Sequence, residues 1–281
     1  MPDLLLLSDF SDFLLWLVLG FIGLLILGNL FTGPLQHWFI FRPRTLPPDH
    51  SFDLPHPYVE HRIDTDHGGR INLLWFQNPV SPRGLVLYCH GNASTVDSWN
   101  PTLAFLQKQD YQLITFDYRG YGKSTGRRSQ ENLYRDAEAV YQWVRRQSPD
   151  LPMILYGRSM GSTFATRLAA RFPADYLILE TPFSGMKRLF FSYYPFLPKV
   201  FRFRYTFPTY RYLKRVAIPV LILQGTSDRI VPFRNAMQLT QYLKSTDRFV
   251  RIDGGGHRNL ATFAAYRKEV GRVLKTVHDK R

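Results

Sequence analysis

Ser159 stands at the centre of Gly157-Arg158-Ser159-Met160-Gly161. An apolar run precedes the pentapeptide and a helix-like stretch follows it, the context of a strained strand-to-helix turn. Glycines on both sides let the backbone close around a serine whose hydroxyl is held out at a sheet edge. The start of the helix adds partial positive charge beneath it. Taken alone, the pattern also fits a small-residue turn before any helix. A serine hydroxyl is a weak nucleophile and needs a base. His257, in Gly254-Gly255-Gly256-His257, lies between the last strand-like run and the last helical one. As one of 8 histidines it also fits an ordinary surface loop. Asp228, in Gly225-Thr226-Ser227-Asp228, directly follows an apolar run and can hold an imidazole and stabilise its charged form. It equally fits a turn aspartate capping a helix. Glu180 is the alternative acid, whereas Asp253 is too close in sequence to His257 to be favoured.

Acyl transfer through a serine also needs fixed donors for a developing oxyanion. The backbone N–H of Met160, next after the serine, is one candidate. The N–H of Asn92, in His90-Gly91-Asn92 after the run ending at Cys89, is the other, which leaves the Asn92 side chain to serve its loop. His90 reads as a loop-ordering histidine in preference to a base. Cys89 reads as a strand residue filling the core. It is the single cysteine of the chain, which excludes an intramolecular disulfide framework and a cysteine-rich zinc site. The sequence carries no metal-ligand spacing, and serine chemistry of this kind needs no metal or cofactor.

These residues require a sheet whose edge gathers them. Hydrophobic residues make up 45% of the 281 and aromatics 15%, enough for a sizeable core and against disorder. Residues 62–66 and 71–77 read as a hairpin across His67-Gly68-Gly69. Residues 84–89 are a continuous apolar run, the mark of a strand covered on both faces. Further strands are expected at 111–116, 153–156, 176–179, 220–224 and 249–252. Helices are expected at 98–108, 130–146, 159–171, 234–244 and 259–277. This alternation predicts the α/β class, a mostly parallel sheet with helices on both faces. Residues 183–217 interrupt it. From Pro182 to Pro219 there is no acidic residue, while 8 cations, among them Lys187, Arg188, Arg202, Arg204, Arg211 and Lys214, are interleaved with 11 aromatics from Phe190 to Tyr212. An insertion of this size between core strands is expected to be a lid. An ordinary cap with core-facing aromatics and solvated charges is the alternative.

No charged residue occurs between Asp12 and Arg42, and Asn29 is the strongly polar member of residues 13–31. As a helix that stretch would span ~28 Å, close to the hydrocarbon thickness of a bilayer. Trp16 and Trp38 stand where interfacial aromatics sit, and Arg42 and Arg44 follow. An acidic start without a small-residue cleavage pattern argues against a cleaved signal peptide. Residues 1–42 are therefore expected to form a single-pass N-terminal membrane anchor, 43–57 a proline-bearing linker and 58–281 the globular domain. The basic flank assigns that domain to the cytoplasmic side, in a bacterium of the inner membrane. The 36 Lys+Arg outweigh the 22 Asp+Glu by 14, and every basic residue lies from Arg42 onward. Such an excess suits an anionic membrane surface. No nucleic-acid recognition motif accompanies it, so no nucleic acid is expected as a partner.

His90-Gly91-Asn92-Ala93, Asp117-Tyr118-Arg119-Gly120-Tyr121-Gly122-Lys123-Ser124, Gly157 to Ser162, Thr226 to Pro232 and Gly255-Gly256-His257 together resemble the serine hydrolases of the α/β-hydrolase superfamily. Within it the chain is similar to a membrane-anchored branch related to protein depalmitoylases and lysophospholipid lipases, with bacterial members. The resemblance runs from about Tyr58 to the C-terminus. It implies the α/β-hydrolase fold, with Ser159 as nucleophile, Asp228 as acid and His257 as base, in the chain order of that fold. The loop from Asp117 to Ser124 is expected to shape the floor of the site. The depalmitoylases carry an N-terminal cysteine cluster for their own lipidation, which this chain lacks. The implied activity is cleavage of carboxylic esters or thioesters of acyl chains, of lysophospholipid, monoacylglycerol or acyl-protein type, through an acyl-enzyme. A serine peptidase of the same fold and a non-catalytic membrane scaffold are the alternatives.

Overall fold

The computed structural model of the chain describes residues 12–24, 26, 36–37, 40–76, 82–98, 100–197 and 202–279. Among them eight strands form one sheet: β1 (Val59–Thr65), β2 (Gly69–Phe76), β3 (Gly84–Cys89), β4 (Tyr111–Phe116), β5 (Met153–Arg158), β6 (Tyr176–Glu180), β7 (Val220–Gly225) and β8 (Arg248–Ile252). Their spatial order is β1-β2-β4-β3-β5-β6-β7-β8. β1 and β2 form the expected antiparallel hairpin, turning at Gly68, whose φ of +73° favours glycine. β2 also runs antiparallel to β4, and the remaining neighbours are parallel.

Alternation along each strand feeds two cores. In β3, Leu85, Leu87 and Cys89 join one apolar cluster, and Val86 and Tyr88 join the other. The first is covered by α3 (Gln130–Gln147) through Leu133, Ala137 and Val140, and by α4 (Gly161–Ala169) through Phe164, Ala165 and Leu168. The second is covered by α2 (Pro101–Gln107) through Leu103 and Leu106, and by α8 (Ala264–His278) through Val270, Val273 and Val277. The fold is thus the α/β one expected, with helices on both faces of a mostly parallel sheet.

Three expected helices differ in extent. α2 starts at Pro101 because Asn100 caps it, its side chain accepting from the amides of Thr102 and Leu103. The helix expected at 234–244 is only α7 (Phe233–Met237), followed by a 3₁₀ turn at Thr240–Tyr242. The last helix begins at Ala264 because Phe263 is extended, and Leu260–Thr262 is a separate 3₁₀ turn.

The N-terminal expectation changes too. Residues 12–24 form a helix, α1, whose Phe13, Trp16 and Phe21 are exposed. No helix among the described residues is long and apolar enough to cross a membrane, so a spanning helix over 13–31 is not realised among them. Residues 25 and 27–31 of that stretch, and Trp38, lie outside the described residues. The expected linker is not free of the domain. Phe52 is buried in it, as is Phe41 at the end of the preceding segment, and Arg44 and Leu46 exchange backbone hydrogen bonds with Gly122.

Between β6 and β7 the chain forms α5 (Met186–Tyr193) and α6 (Thr209–Leu213). Its aromatics divide by position. Tyr205 and Phe207 are buried in the main core, whereas Tyr193, Tyr194 and Phe196 are exposed.

Candidate functional site

Ser159 follows β5 at a φ of +51°, the left-handed region that non-glycine residues seldom adopt. The flanking glycines make this turn possible. A Cβ on Gly161 would stand 1.9 Å from the Cys89 carbonyl oxygen, and one on Gly157 would stand 2.6 Å from the Gly161 oxygen. Helix α4 therefore approaches β3 and β5 closely enough to turn the serine outward. The Ser159 amide is fixed by the Glu180 carbonyl at 2.9 Å.

The Ser159 hydroxyl lies 3.0 Å from His257 Nε2, and His257 Nδ1 lies 2.8 Å from Asp228 Oδ2. With Nδ1–H donated to the carboxylate, Nε2 is left to accept the serine proton. The loops carrying the acid and the histidine are locked together. Ser227 N donates to Gly255 O at 2.9 Å, Thr226 N donates to Ile252 O at 3.0 Å, and a Cβ on Gly225 would stand 2.1 Å from the Gly255 oxygen.

Asp228 is buried and densely bonded. Oδ1 accepts from the amides of Ile230 and Val231, both at 2.8 Å, and Oδ2 also accepts from Gln224 Nε2 at 3.1 Å. Burial opposes its ionisation, but the hydrogen bond and charge of His257 and the two amides outweigh it, so its carboxyl is held below the usual range.

The His90-Gly91-Asn92 loop lies against the serine, since a Cβ on Gly91 would stand 3.5 Å from Ser159 Cβ. Among the described hydrogen bonds neither the Asn92 nor the Met160 amide is spent on a protein acceptor. The Asn92 side chain serves its loop: Oδ1 accepts from Ala93 N at 2.9 Å and Tyr121 OH at 2.7 Å, and Nδ2 donates to Ile40 O. His90 is turned away from this chemistry. Its Nδ1 donates to Gly91 O at 2.7 Å, its Nε2 is 4.0 Å from Asp117, and burial pushes its pKa down to about 4. Asp117, in the floor loop, is pushed up to about 7 by burial and accepts from Val96 N at 2.9 Å. Cys89 is buried in the core and burial raises its thiol pKa.

Glu180, the alternative acid, lies elsewhere. It sits beside Arg158 across the β5–β6 register and accepts from Arg158 Nε at 3.2 Å, Tyr156 OH at 2.7 Å and Thr102 Oγ1 at 2.9 Å. Asp253 is exposed and pairs with Arg251 at 2.5 Å. The residue passed over by sequence reasoning is Arg158 itself. Its guanidinium is buried, and Nη2 donates to the His257 carbonyl at 2.9 Å, so it spans from Glu180 to the histidine loop. Charge order along adjacent strand ends is the signal that would have found it.

A strained serine at a strand–helix turn, with a histidine and an aspartate delivered by the last two strand ends of a mostly parallel sheet, defines the α/β-hydrolase architecture. A family model described as Serine aminopeptidase, S33 matches residues 80–212. An uncharacterized protein of Mycobacterium tuberculosis is 31% identical over 200 residues, covering 70% of this chain and 71% of that protein. The lysophosphatidylserine lipase ABHD12 of Macaca fascicularis is 32% identical over 187 residues, or 59% of this chain, which spans about half (47%) of that relative's length. Among solved structures, the esterase Pf2001 of Pyrococcus furiosus matches with a TM-score of 0.67 and 20% identity, over 84% of this chain and 98% of that one. The chain belongs to the α/β-hydrolase superfamily.

Proposed function

We propose that this protein is a membrane-associated serine hydrolase that cleaves carboxylic esters or thioesters of acyl chains. The observation that carries the reading is the hydrogen-bonded line from Ser159 Oγ through His257 to Asp228, beside two uncommitted amides. Ser159 Oγ bonds to the acyl carbonyl carbon while His257 Nε2 takes its proton. The carbonyl oxygen becomes the tetrahedral oxyanion, held by the Asn92 and Met160 N–H groups. As the carbon–oxygen or carbon–sulfur bond breaks, His257 returns the proton to the leaving alcohol or thiol. Water then repeats the sequence and frees the acid. Asp228 keeps the imidazole in the required tautomer and offsets its charge.

Lysophospholipids, monoacylglycerols and acyl-proteins are the substrate types that suit this chemistry. The lipase name of the macaque relative favours a lipid among them. The exposed apolar surface of α1 and the net charge of +14 support residence on an anionic membrane, with the catalytic domain on its cytoplasmic face. The aminopeptidase name of the matching family offers a second reading. An aminopeptidase has to hold a substrate ammonium, and residues 182–219 offer no carboxylate to do so.

The test is fluorophosphonate labelling of wild type and Ser159→Ala, followed by a panel of acyl esters, acyl-cysteine and aminoacyl amides. Labelling of the wild type alone is expected, with turnover of esters falling by roughly 10⁴-fold or more in the variant. Equal labelling of both proteins, or amides cleaved in preference to esters, rejects this reading.

A further inference from the structure

Helix α5, the chain entering α6 and the start of α7 enclose a cavity of about 790 Å³ that none of the three residues Ser159, His257 and Asp228 lines. Among the described residues Lys187, Arg188, Arg211 and Arg234 line it, and no carboxylate does. Four like charges around one concavity raise its potential and focus it on whatever enters. Two of the guanidinium groups are held by a single ring. Arg188 lies 3.9 Å over the face of Tyr210, and Arg211 Nε donates to the Tyr210 hydroxyl at 3.1 Å. Stacking restrains a guanidinium while leaving its N–H fork open, and that fork matches paired oxygens of a phosphate.

The cavity is joined to the candidate active site by α5. Tyr193, next to Ser192, donates its hydroxyl to the carbonyls of Arg229 at 2.7 Å and Ile230 at 2.8 Å, the two residues after Asp228. We propose that this cavity is a subsite for a phosphate-bearing polar group, gripped by Arg188, Arg211 and Arg234. Its consequence rests on the hydrolase reading above: a phosphate held here ties down the polar end of an ester whose acyl carbonyl reaches Ser159. The phosphate belongs either to the substrate or to a bilayer lipid beside it, and both present the same chemistry to the arginines.

The experiment uses the full chain in detergent micelles. The ratio of kcat/KM for a lysophospholipid to that for a monoacylglycerol of the same acyl length is measured in wild type, Arg188→Gln/Arg211→Gln and Arg234→Gln. The ratio is expected to fall about tenfold for each charge-assisted hydrogen bond removed, mainly through KM. Arg215→Gln removes an exposed cation of the same segment outside the cavity and is expected to keep the wild-type ratio. Glycerol phosphate competing with the lysophospholipid identifies the substrate as the source. Loss of stimulation by phosphatidylglycerol vesicles in the arginine variants, without such competition, identifies the bilayer. A second readout needs no catalysis: glycerol phosphate or phosphatidylglycerol is expected to raise the Tm of Ser159→Ala, and not that of Ser159→Ala carrying Arg188→Gln/Arg211→Gln. Absence of turnover by the wild type rejects the hydrolase reading and leaves this melting test standing. An unchanged ratio, an equal fall in Arg215→Gln, or no melting shift with either ligand overturns the subsite.

Discussion

Asp228 is buried, yet its carboxyl is held below the usual range because His257 and two backbone amides favour the charged form more than burial disfavours it. A depressed folded-state pKa contributes stability that is fully present above the unfolded value of about 3.9 and is lost as pH falls through the folded one. Asp228→Asn is thus expected to be less stable than wild type at neutral pH, with the difference closing in acid, as read from urea unfolding across pH. In the same variant the amide offers an N–H where His257 needs an acceptor. The imidazole then presents the wrong tautomer to Ser159, and kcat is expected to fall by roughly 10⁴-fold. Arg158 poses a different question, since its guanidinium is bonded to the buried Glu180 and to the His257 carbonyl. Arg158→Gln leaves Glu180 without its ion-pair partner, so destabilisation of about 3–5 kcal/mol is expected in chemical unfolding. Arg158→Gln/Glu180→Gln removes both charges and is expected to recover part of that loss.

At the scale of elements, the site is assembled by close approaches that only glycine permits. Gly225, closing β7, meets the Gly255 carbonyl so closely that an added Cβ would stand 2.1 Å away. Gly225→Ala is expected to push the acid loop from the histidine loop, costing about 1–3 kcal/mol by overpacking. Fluorophosphonate labelling is expected to slow with it, and a labelling rate equal to wild type counts against the locked-loop account. Such glycines are why the candidate site was legible in the sequence: the strand ending at Cys89 is an unbroken apolar run, β7 is apolar up to Gln224, and β8, although it carries Arg248 and Arg251, stops just before the glycines that lead to His257. Local pattern failed where two helix types share one spacing. Ala236 and Leu239 are both buried, as one continuous helix would require, yet the chain tightens into a 3₁₀ turn after Met237. It failed again at Arg158 and Glu180, which lie 22 positions apart and meet only through the register of β5 against β6. The region between β6 and β7 was half legible. An interleaving of cations and aromatics does not reveal that Tyr205 and Phe207 turn into the core while Phe196 stays in solvent.

Across the whole molecule, described residues between 36 and 41 dock against the region between β6 and β7 and against the loop that carries Asn92. Gln36 accepts from Arg204 N and donates to Arg202 O, both at 2.7 Å, and His37 meets the Tyr205 hydroxyl at 2.8 Å. Phe41 packs edge-on against Tyr205 at 4.8 Å, and Asn92, whose amide faces the serine in the proposed mechanism, grips the carbonyl of Ile40. In the reading proposed above, a membrane holds the full chain. Two forces are available to hold it, the net charge of +14 and the exposed apolar side chains of α1. Salt separates them, because the screening length falls from about 8 Å at physiological ionic strength to about 3 Å at 1 M, while apolar burial is not weakened. The full chain is expected to stay with anionic vesicles when sedimented in 1 M NaCl. Leu17→Lys/Phe21→Lys places two charges on α1, each opposing lipid burial by up to about 3 kcal/mol, and is expected to be released by the same wash. Release of the wild type at 1 M salt would mean that charge alone holds the protein to the bilayer, and α1 would then have no part in seating it.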